Sequence, residues 1–218
     1  MAPTSQLLFK YKTVVRKAKT SKFNGVRQNP LEYFKELYSK ENALAQANIP
    51  GACCVSTIGK DGYPNARFLA LKDINDKGFI ITGPLSTRKG DEINSVPKVS
   101  LTFWWPIIEV QIRIQGNADQ ISPEQASKYF HERPRESQLT SWASRQGQPL
   151  DNPASLIKKL EEVKLQFQDK EIPCPKDWGG FCVIPKRIEF LEFSDERLHT
   201  RILYTNEADK WTTEYLQP

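Results

Sequence analysis

In the stretch "PIIEVQIRIQ", Ile108, Val110, Ile112 and Ile114 alternate with Glu109, Gln111, Arg113 and Gln115. No other feature constrains the fold as much. Successive side chains of a strand point to opposite faces, so the pattern predicts a strand with one buried face and one polar face. It sits in "VSLTFWWPIIEVQIRIQGNADQIS", the strongest β signal in the chain, where Pro106 marks a break or an edge. Shorter β runs surround it. "ACCVSTIG" leads through "KDGYP", with Asp61-Gly62 as a hairpin signal, into "ARFLALKDI"; "GFIITG" follows "NDKG". From Trp178 to Pro218 the chain returns to strands, including "GFCVIPKRIEFLEF" and a last hairpin turning near "NEAD".

Helical spacing interrupts these runs. "NPLEYFKELYSKENALA" carries Leu31, Phe34, Tyr38 and Ala45 on one face, with Asn29 as cap before Pro30. "RKGDEINSV" is a short helix between strands. "SPEQASKYFHERP" has Ser122 as N-cap and Pro123 at the first position. Further helices are expected at 137–146 and 153–169. Short strands joined by tight turns, with helices inserted, predict a mostly β barrel with added helices.

The net charge of +5 belongs to one end of the 218-residue chain. Residues 1–31 hold seven of the 31 basic residues and none of the 26 acidic ones, so the remaining 24 basic residues are slightly outnumbered. Residues 1–28 are expected to be a solvated, mobile basic tail, and 29–218 a single domain. A mitochondrial targeting role or a weak nucleic-acid arm stays open for that tail. Phe9, Tyr11 and Phe23 are the only aromatics among its charges, too few for the aromatic–basic interleaving of RNA-binding modules, so no nucleic-acid partner is expected. No apolar run reaches the roughly 20 residues of a membrane helix. The cysteines, Cys53, Cys54, Cys174 and Cys182, form no C-x-x-C, and His131 and His199 are the only histidines. No metal site is expected, and a reducing compartment, the cytoplasm, fits best.

Positive groups recur in short clusters. In "DERLHTRILY", Arg197, His199 and Arg201 are two apart and would line one face of an extended chain, with Leu198, Ile202 and Tyr204 on the other. Such a stripe repels itself unless an anion lies against it. Tyr129 and Arg133 share a helical face, Pro134 ends that helix, and Ser137 comes within reach as cap of the next. That trio makes a phosphate cradle; taken alone, it better fits a helix C-terminus neutralised by its own arginine. Arg67 and Lys72, five apart, face opposite sides of a regular strand. Either the strand ends or bulges between them, or they serve different ligands. "STRKG" puts Thr87, Arg88 and Lys89 at a helix start, another natural anion site. Two phosphates in one pocket would explain this concentration in a body without net positive charge. No G-x-G-x-x-G, Walker loop or G-x-S-x-G occurs, so side chains and a barrel must hold the anions.

Taken in order, "ARFLALK", "STRKG", "YFHERPRESQLTSWASRQ", "DWGGF", "IEF" and "RLHTR" resemble the pyridoxine (pyridoxamine) 5'-phosphate oxidase family, from about residue 29 to the final "LQP". The resemblance implies an antiparallel, Greek-key-like, FMN-binding split β-barrel, working as a homodimer with flavin at the subunit interface. It implies oxidation of pyridoxine or pyridoxamine 5'-phosphate to pyridoxal 5'-phosphate, with dioxygen reduced to hydrogen peroxide. Lys72, Tyr129, Arg133 and Ser137 would hold the substrate phosphate, with Arg197 and His199 beside the pyridine ring as the catalytic pair. Arg67, Lys72, Thr82, Thr87, Arg88, Lys89, Gln111, Gln146, Leu191 and Arg201 would contact FMN.

Four departures fall on the flavin side. Leu191 stands where an aromatic is usual, and Thr82-Gly83 replaces Tyr-Thr. Gly147 replaces a serine, and Thr200 an aspartate. They raise the alternative of a paralogue that binds the B6 phosphate as carrier or sensor and oxidises it poorly. The retained Arg67, Lys89, Gln111 and Arg201 favour the oxidase.

Overall fold

The computed structural model describes residues 27–45, 49–194 and 197–218. The expected tail lies outside these residues except for Arg27 and Gln28. Arg27 is docked: its backbone N–H donates to the Tyr204 hydroxyl at 3.2 Å and its guanidinium pairs with Glu36 at 2.9 Å.

Helix α1 (Pro30–Leu44) precedes the strands β1 (Ala52–Ile58), β2 (Pro64–Ile74) and β3 (Phe79–Pro84). A short helix α2 (Arg88–Ser95) leads to β4 (Lys98–Trp105) and β5 (Val110–Gln120). Helices α3 (Pro123–His131), α4 (Arg135–Ala143) and α5 (Pro153–Gln166) follow. The chain ends in β6 (Trp178–Glu192), β7 (Thr200–Glu207) and β8 (Lys210–Leu216).

All pairings are antiparallel, in the order β3-β2-β1-β4-β5-β6-β7-β8, and β3 also pairs with β6. Six strands therefore close into a barrel. β4 returns beside β1 after the β1-β2-β3 meander, which is a Greek key. β6 pairs with β5 along one side and, on the other, with two strands in succession: Trp178–Val183 with β3, and Arg187–Glu192 with β7.

The β5 alternation does what period two requires. Val110, Ile112, Ile114 and Ala118 are buried, while Gln111, Arg113 and Gln115 face outward. Ile108 does not belong to the strand. Residues 106–109 form a turn, and Glu109 has φ 53, so the alternation starts two residues later than expected. Helix α1 begins at Asn29, whose side chain accepts from Leu31 N, and plugs the barrel with Phe34. The Phe34 ring is fully buried, with ring centroids of Phe79, Phe103 and Trp105 at 4.8–5.0 Å. Burying such a side chain contributes about 2–3 kcal/mol. Glu41, also buried on α1, accepts from Ile107 and Ile108 N–H and ties the plug to the β4–β5 turn. A second core, around Phe130, Leu139, Val163 and Trp178, joins α3–α5 to the outside of β3 and β6.

Several helix ends differ from expectation. α3 stops at His131 with Glu132 as C-cap, because Pro134 forbids its continuation. α4 spans 135–143 rather than 137–146, so Ser137 lies in its first turn and Pro134 takes the cap position. α5 ends at Gln166, three residues short of the expected 169.

Candidate functional site

β2 carries two of the expected cations on one strand, and its irregularity separates them. Its register with β3 shifts between Leu71 and Asp73, so the strand bulges at Lys72. Of the backbone alternatives for Arg67 and Lys72, the strand bulges rather than ending between them.

At the Arg67 end, α2 presents its N-terminus. Thr87 is N-cap without capping the helix; its hydroxyl donates to Pro84 O at 3.0 Å. Helix geometry leaves the first-turn N–H groups without intrahelical partners. Lys89 is buried, with Nζ 2.9 Å from Thr87 Oγ1. Burial, with the Arg67 charge adding to it, pulls the Lys89 ammonium down to about 8. A Cβ at Gly83 would stand 3.2 Å from that ammonium, so glycine keeps the space over it open. Arg67 and Arg88 converge on a buried carboxylate that the sequence reading missed, Glu92. Glu92 receives Arg67 Nη2 at 3.2 Å, Arg88 Nε at 2.9 Å, Asn65 Nδ2 at 2.7 Å and the Thr57 hydroxyl. Burial pushes the Glu92 carboxyl up, but the Thr57, Arg88 and Arg67 hydrogen bonds outweigh it and hold it below the usual carboxylate range. The signal was present: Glu92 lies four after Arg88 on one helical face.

At the Lys72 end, Nζ pairs with Glu132 at 2.7 Å and lies 5.2 Å from the centroid of the Tyr129 ring. The Tyr129 hydroxyl donates to Asp73 Oδ2 at 2.7 Å. Burial and that hydrogen bond push the phenol up to about 12, so it is a donor at neutral pH. Arg133 stacks 4.2 Å over Trp178, donates to Ser141 Oγ at 2.7 Å, and is drawn below its usual range by burial. Ser141 in turn donates to Ser137 O at 2.9 Å. Of the expected quartet, Lys72 and Tyr129 lie together, while Arg133 reaches Ser141 on α4, whose hydroxyl bonds only the backbone carbonyl of Ser137, one turn earlier.

A third group lies on the outer face of the sheet. Trp104, Gln111, Leu191 and Arg201 are direct cross-strand neighbours across β4, β5, β6 and β7. Arg201 is held by Glu189, at 2.8 and 3.1 Å, and by Gln217 O at 3.2 Å. The stripe expected in "DERLHTRILY" is broken. Arg197 has φ 60 and β7 begins only at Thr200, so Arg197 and His199 lie in the preceding loop. Ile202 and Tyr204 are buried as expected, but Leu198 is 71% exposed, because the left-handed residue upsets the two-residue period. His199 Nδ1 accepts from Ser194 N–H at 3.1 Å, which leaves Nε2 to carry the proton of the neutral ring. Its ring packs against Phe193, 4.6 Å between centroids.

Gln146 stands in the turn after α4, where Gly147 has φ 85, a conformation glycine adopts without strain. The turn borders a cleft of about 1070 Å³ with Ser86, Trp142 and Asp177. Thr82 pairs with Gly180 where β3 meets β6. Among the described residues, no hydrogen bond or ion pair joins Gln146, or the outer-face row, to the Arg67–Lys89 or Lys72–Tyr129 groups. No cluster of metal-binding residues and no helix long and apolar enough to cross a membrane occurs among the described residues.

This geometry has relatives. Residues 39–167 match the profile described as pyridoxamine 5'-phosphate oxidase, and 178–218 the one described as pyridoxine 5'-phosphate oxidase C-terminal dimerisation region. The pyridoxine/pyridoxamine 5'-phosphate oxidase of Haemophilus influenzae is 40% identical over 88% of this chain and 90% of its own. That of Aliivibrio salmonicida is 41% identical over the same shares. Among solved structures, PhzG from Burkholderia lata, in complex with tetrahydrophenazine-1-carboxylic acid, superposes with a TM-score of 0.85 at 26% identity, covering 91% of this chain and 97% of that one. A pyridoxamine 5'-phosphate oxidase-related, FMN-binding protein from Nostoc punctiforme shares the fold, with a TM-score of 0.71 at 15% identity over 88% of this chain and all of that one. With both profiles matched in order along one split barrel, the chain belongs to the pyridoxamine 5'-phosphate oxidase family.

Proposed function

We propose that the protein is an FMN-dependent oxidase that converts pyridoxine or pyridoxamine 5'-phosphate to pyridoxal 5'-phosphate and passes the electrons to dioxygen, giving hydrogen peroxide. The observation that carries the reading is the pair of phosphate-suited groups on β2, one at Arg67 and one at the Lys72 bulge. A phosphorylated cofactor and a phosphorylated substrate need such a pair.

The residues fit FMN. Lys89 is a buried cation beside open space, at the N-terminus of α2, with Arg67 and Arg88 near it. Glu92 offsets part of that charge, and Asp61, 3.6 Å from Arg88, offsets more, which leaves the cluster net positive beside Lys89 and suited to an anionic phosphate. Thr82, Gln111, Leu191, Gln146 and Arg201 are assigned to the rest of the cofactor. Bound FMN would supply the acceptor for two electrons. The chain itself binds and aligns. Lys72, Tyr129, Arg133 and Ser137 hold the substrate phosphate. Arg197 positions the ring, and His199 orients it by hydrogen bonding.

We assign the active form to a homodimer. One chain keeps its expected flavin contacts in separate patches, and a second copy would bring them to one site. Phe68, 77% exposed, and Trp104, 50% exposed, lie on the same outer face, which suits burial by that copy. The match to the dimerisation region supports the same assembly.

The test is the visible spectrum of the purified protein with and without FMN, followed by pyridoxamine 5'-phosphate in air. Bound flavin with aldehyde and peroxide formation is expected. Binding of the B6 phosphate without flavin binding would replace the oxidase by the carrier reading that Leu191 and Thr82 raise.

A further inference from the structure

The chain places carboxylates of its own on the donors assigned to the substrate phosphate. Glu132 Oε2 lies 2.7 Å from Lys72 Nζ, and Asp73 Oδ2 takes the Tyr129 hydroxyl at 2.7 Å. A phosphate ester needs those same donors. It also meets repulsion from any carboxylate left beside it. Ligand and carboxylate therefore compete for Lys72.

The two carboxylates are not equally fixed. Asp73 is anchored through both oxygens, since Oδ1 accepts from Ile74 N–H at 2.8 Å. Asp73 stays in place, and the Tyr129 hydroxyl, with its single proton, turns from Asp73 to the phosphate when the ester binds. Glu132 is 43% exposed, so its carboxylate can return to water at little desolvation cost. It is also the C-cap of α3, at the negative end of the helix dipole, where a carboxylate is disfavoured. Lys72 is the cation that offsets this placement.

We propose that Glu132 is a displaceable counter-ion of the substrate-phosphate site. It holds Lys72 in the free protein and swings into solvent when a phosphate monoester binds. It thereby sets the affinity below what Lys72, Tyr129 and Arg133 would give without it. A dianionic phosphate competes for Lys72 better than a monoanion does, so the exchange also selects for phosphate esters over carboxylates. The inference rests on the reading of Lys72 and Tyr129 as phosphate ligands.

The test measures equilibrium binding of pyridoxal 5'-phosphate, with pyridoxal as phosphate-free control, to the FMN-loaded protein and its Glu132→Gln, Glu132→Asp and Lys72→Met variants. Glu132→Gln should bind pyridoxal 5'-phosphate about three- to tenfold more tightly, the scale of a partly exposed ion pair plus relieved repulsion. Its affinity for pyridoxal should not change, and Glu132→Asp should stay near wild type. Equal or weaker binding of pyridoxal 5'-phosphate by Glu132→Gln overturns the proposal, because the carboxylate would then position Lys72 rather than compete for it. Equal tightening toward pyridoxal overturns it as well. If Lys72→Met binds pyridoxal 5'-phosphate as wild type does, the phosphate-site reading itself fails; a Lys72 loss with no Glu132→Gln gain sinks the counter-ion alone.

Discussion

The two ends of β2 solve one problem in opposite ways. At the Arg67 end the internal carboxylate, Glu92, is almost fully buried and gripped by Thr57, Asn65, Arg67 and Arg88. At the Lys72 end Glu132 is half in solvent on a single lysine. Removing one partner of a buried pair strands a charge, whereas removing one partner of an exposed pair changes little. On the proposed function, the first carboxylate belongs to the architecture that presents cations to a tightly held cofactor, and the second to a site that must empty and refill each turnover.

The sharpest way to break this contrast is to neutralise each carboxylate and follow unfolding by denaturant. Glu92→Gln should lose about 3 kcal/mol, because Arg67 and Arg88 then lack their shared anion. Glu132→Gln should stay within about 0.5 kcal/mol. Equal losses would erase the distinction. The pH dependence follows the same sign. Glu92 is depressed in the folded protein, so its contribution is complete above the ordinary carboxylate range and disappears as pH falls below it. Glu92→Gln should flatten that acid limb.

Arg197→Met probes the loop rather than either cluster. It should cut turnover by about 100-fold, the scale of a lost positioning contact, while FMN fluorescence quenching stays unchanged. Unchanged turnover would remove Arg197 from the role assigned to it.

Lys89→Met should weaken FMN by about tenfold to thirtyfold, as expected for a lost charge-assisted hydrogen bond. In the wild type, affinity should rise as the flavin phosphate becomes dianionic and then decline as pH passes about 8, where Lys89 loses its proton. The variant should lack the alkaline decline. The smallest effect belongs to the outer-face row. Leu191→Trp adds an aromatic beside Gln111 and Arg201 and should tighten FMN by about threefold to fivefold. Weaker binding would mean that Leu191 already packs well.

The barrel was legible because period two is a local property: β5 is buried on one face from Val110 onward, and β1 through β3 sit where turn residues placed them. The helix caps at Asn29 and Ser122 were equally local. What escaped were features that depend on backbone phase or on distant partners. One positive φ at Arg197 cancels a face assignment that alternation alone supports. The Tyr129–Asp73 bond spans 56 residues and exists because a bulge turns β2 at Lys72. The cations were found by composition and resemblance. The carboxylates that tune them were not, since an isolated Glu in a helix reads as ordinary surface charge.

The shared strand β6 has a consequence for how the chain acquires its shape. Barrel closure pairs Phe79–Pro84 with Trp178–Val183, so the seam joins segments on either side of β4, β5 and four helices. Such non-local pairing slows folding, because the loop must be ordered before the contacts reward it. On a ribosome, β1 to β5 emerge with both edges of the open barrel, β3 and β5, unpaired until the last fifth of the chain brings β6. During synthesis β3 and β5 are therefore open sheet edges, and the apolar "FII" run of β3, with no polar residue to break it, is exposed to mispairing until β6 arrives.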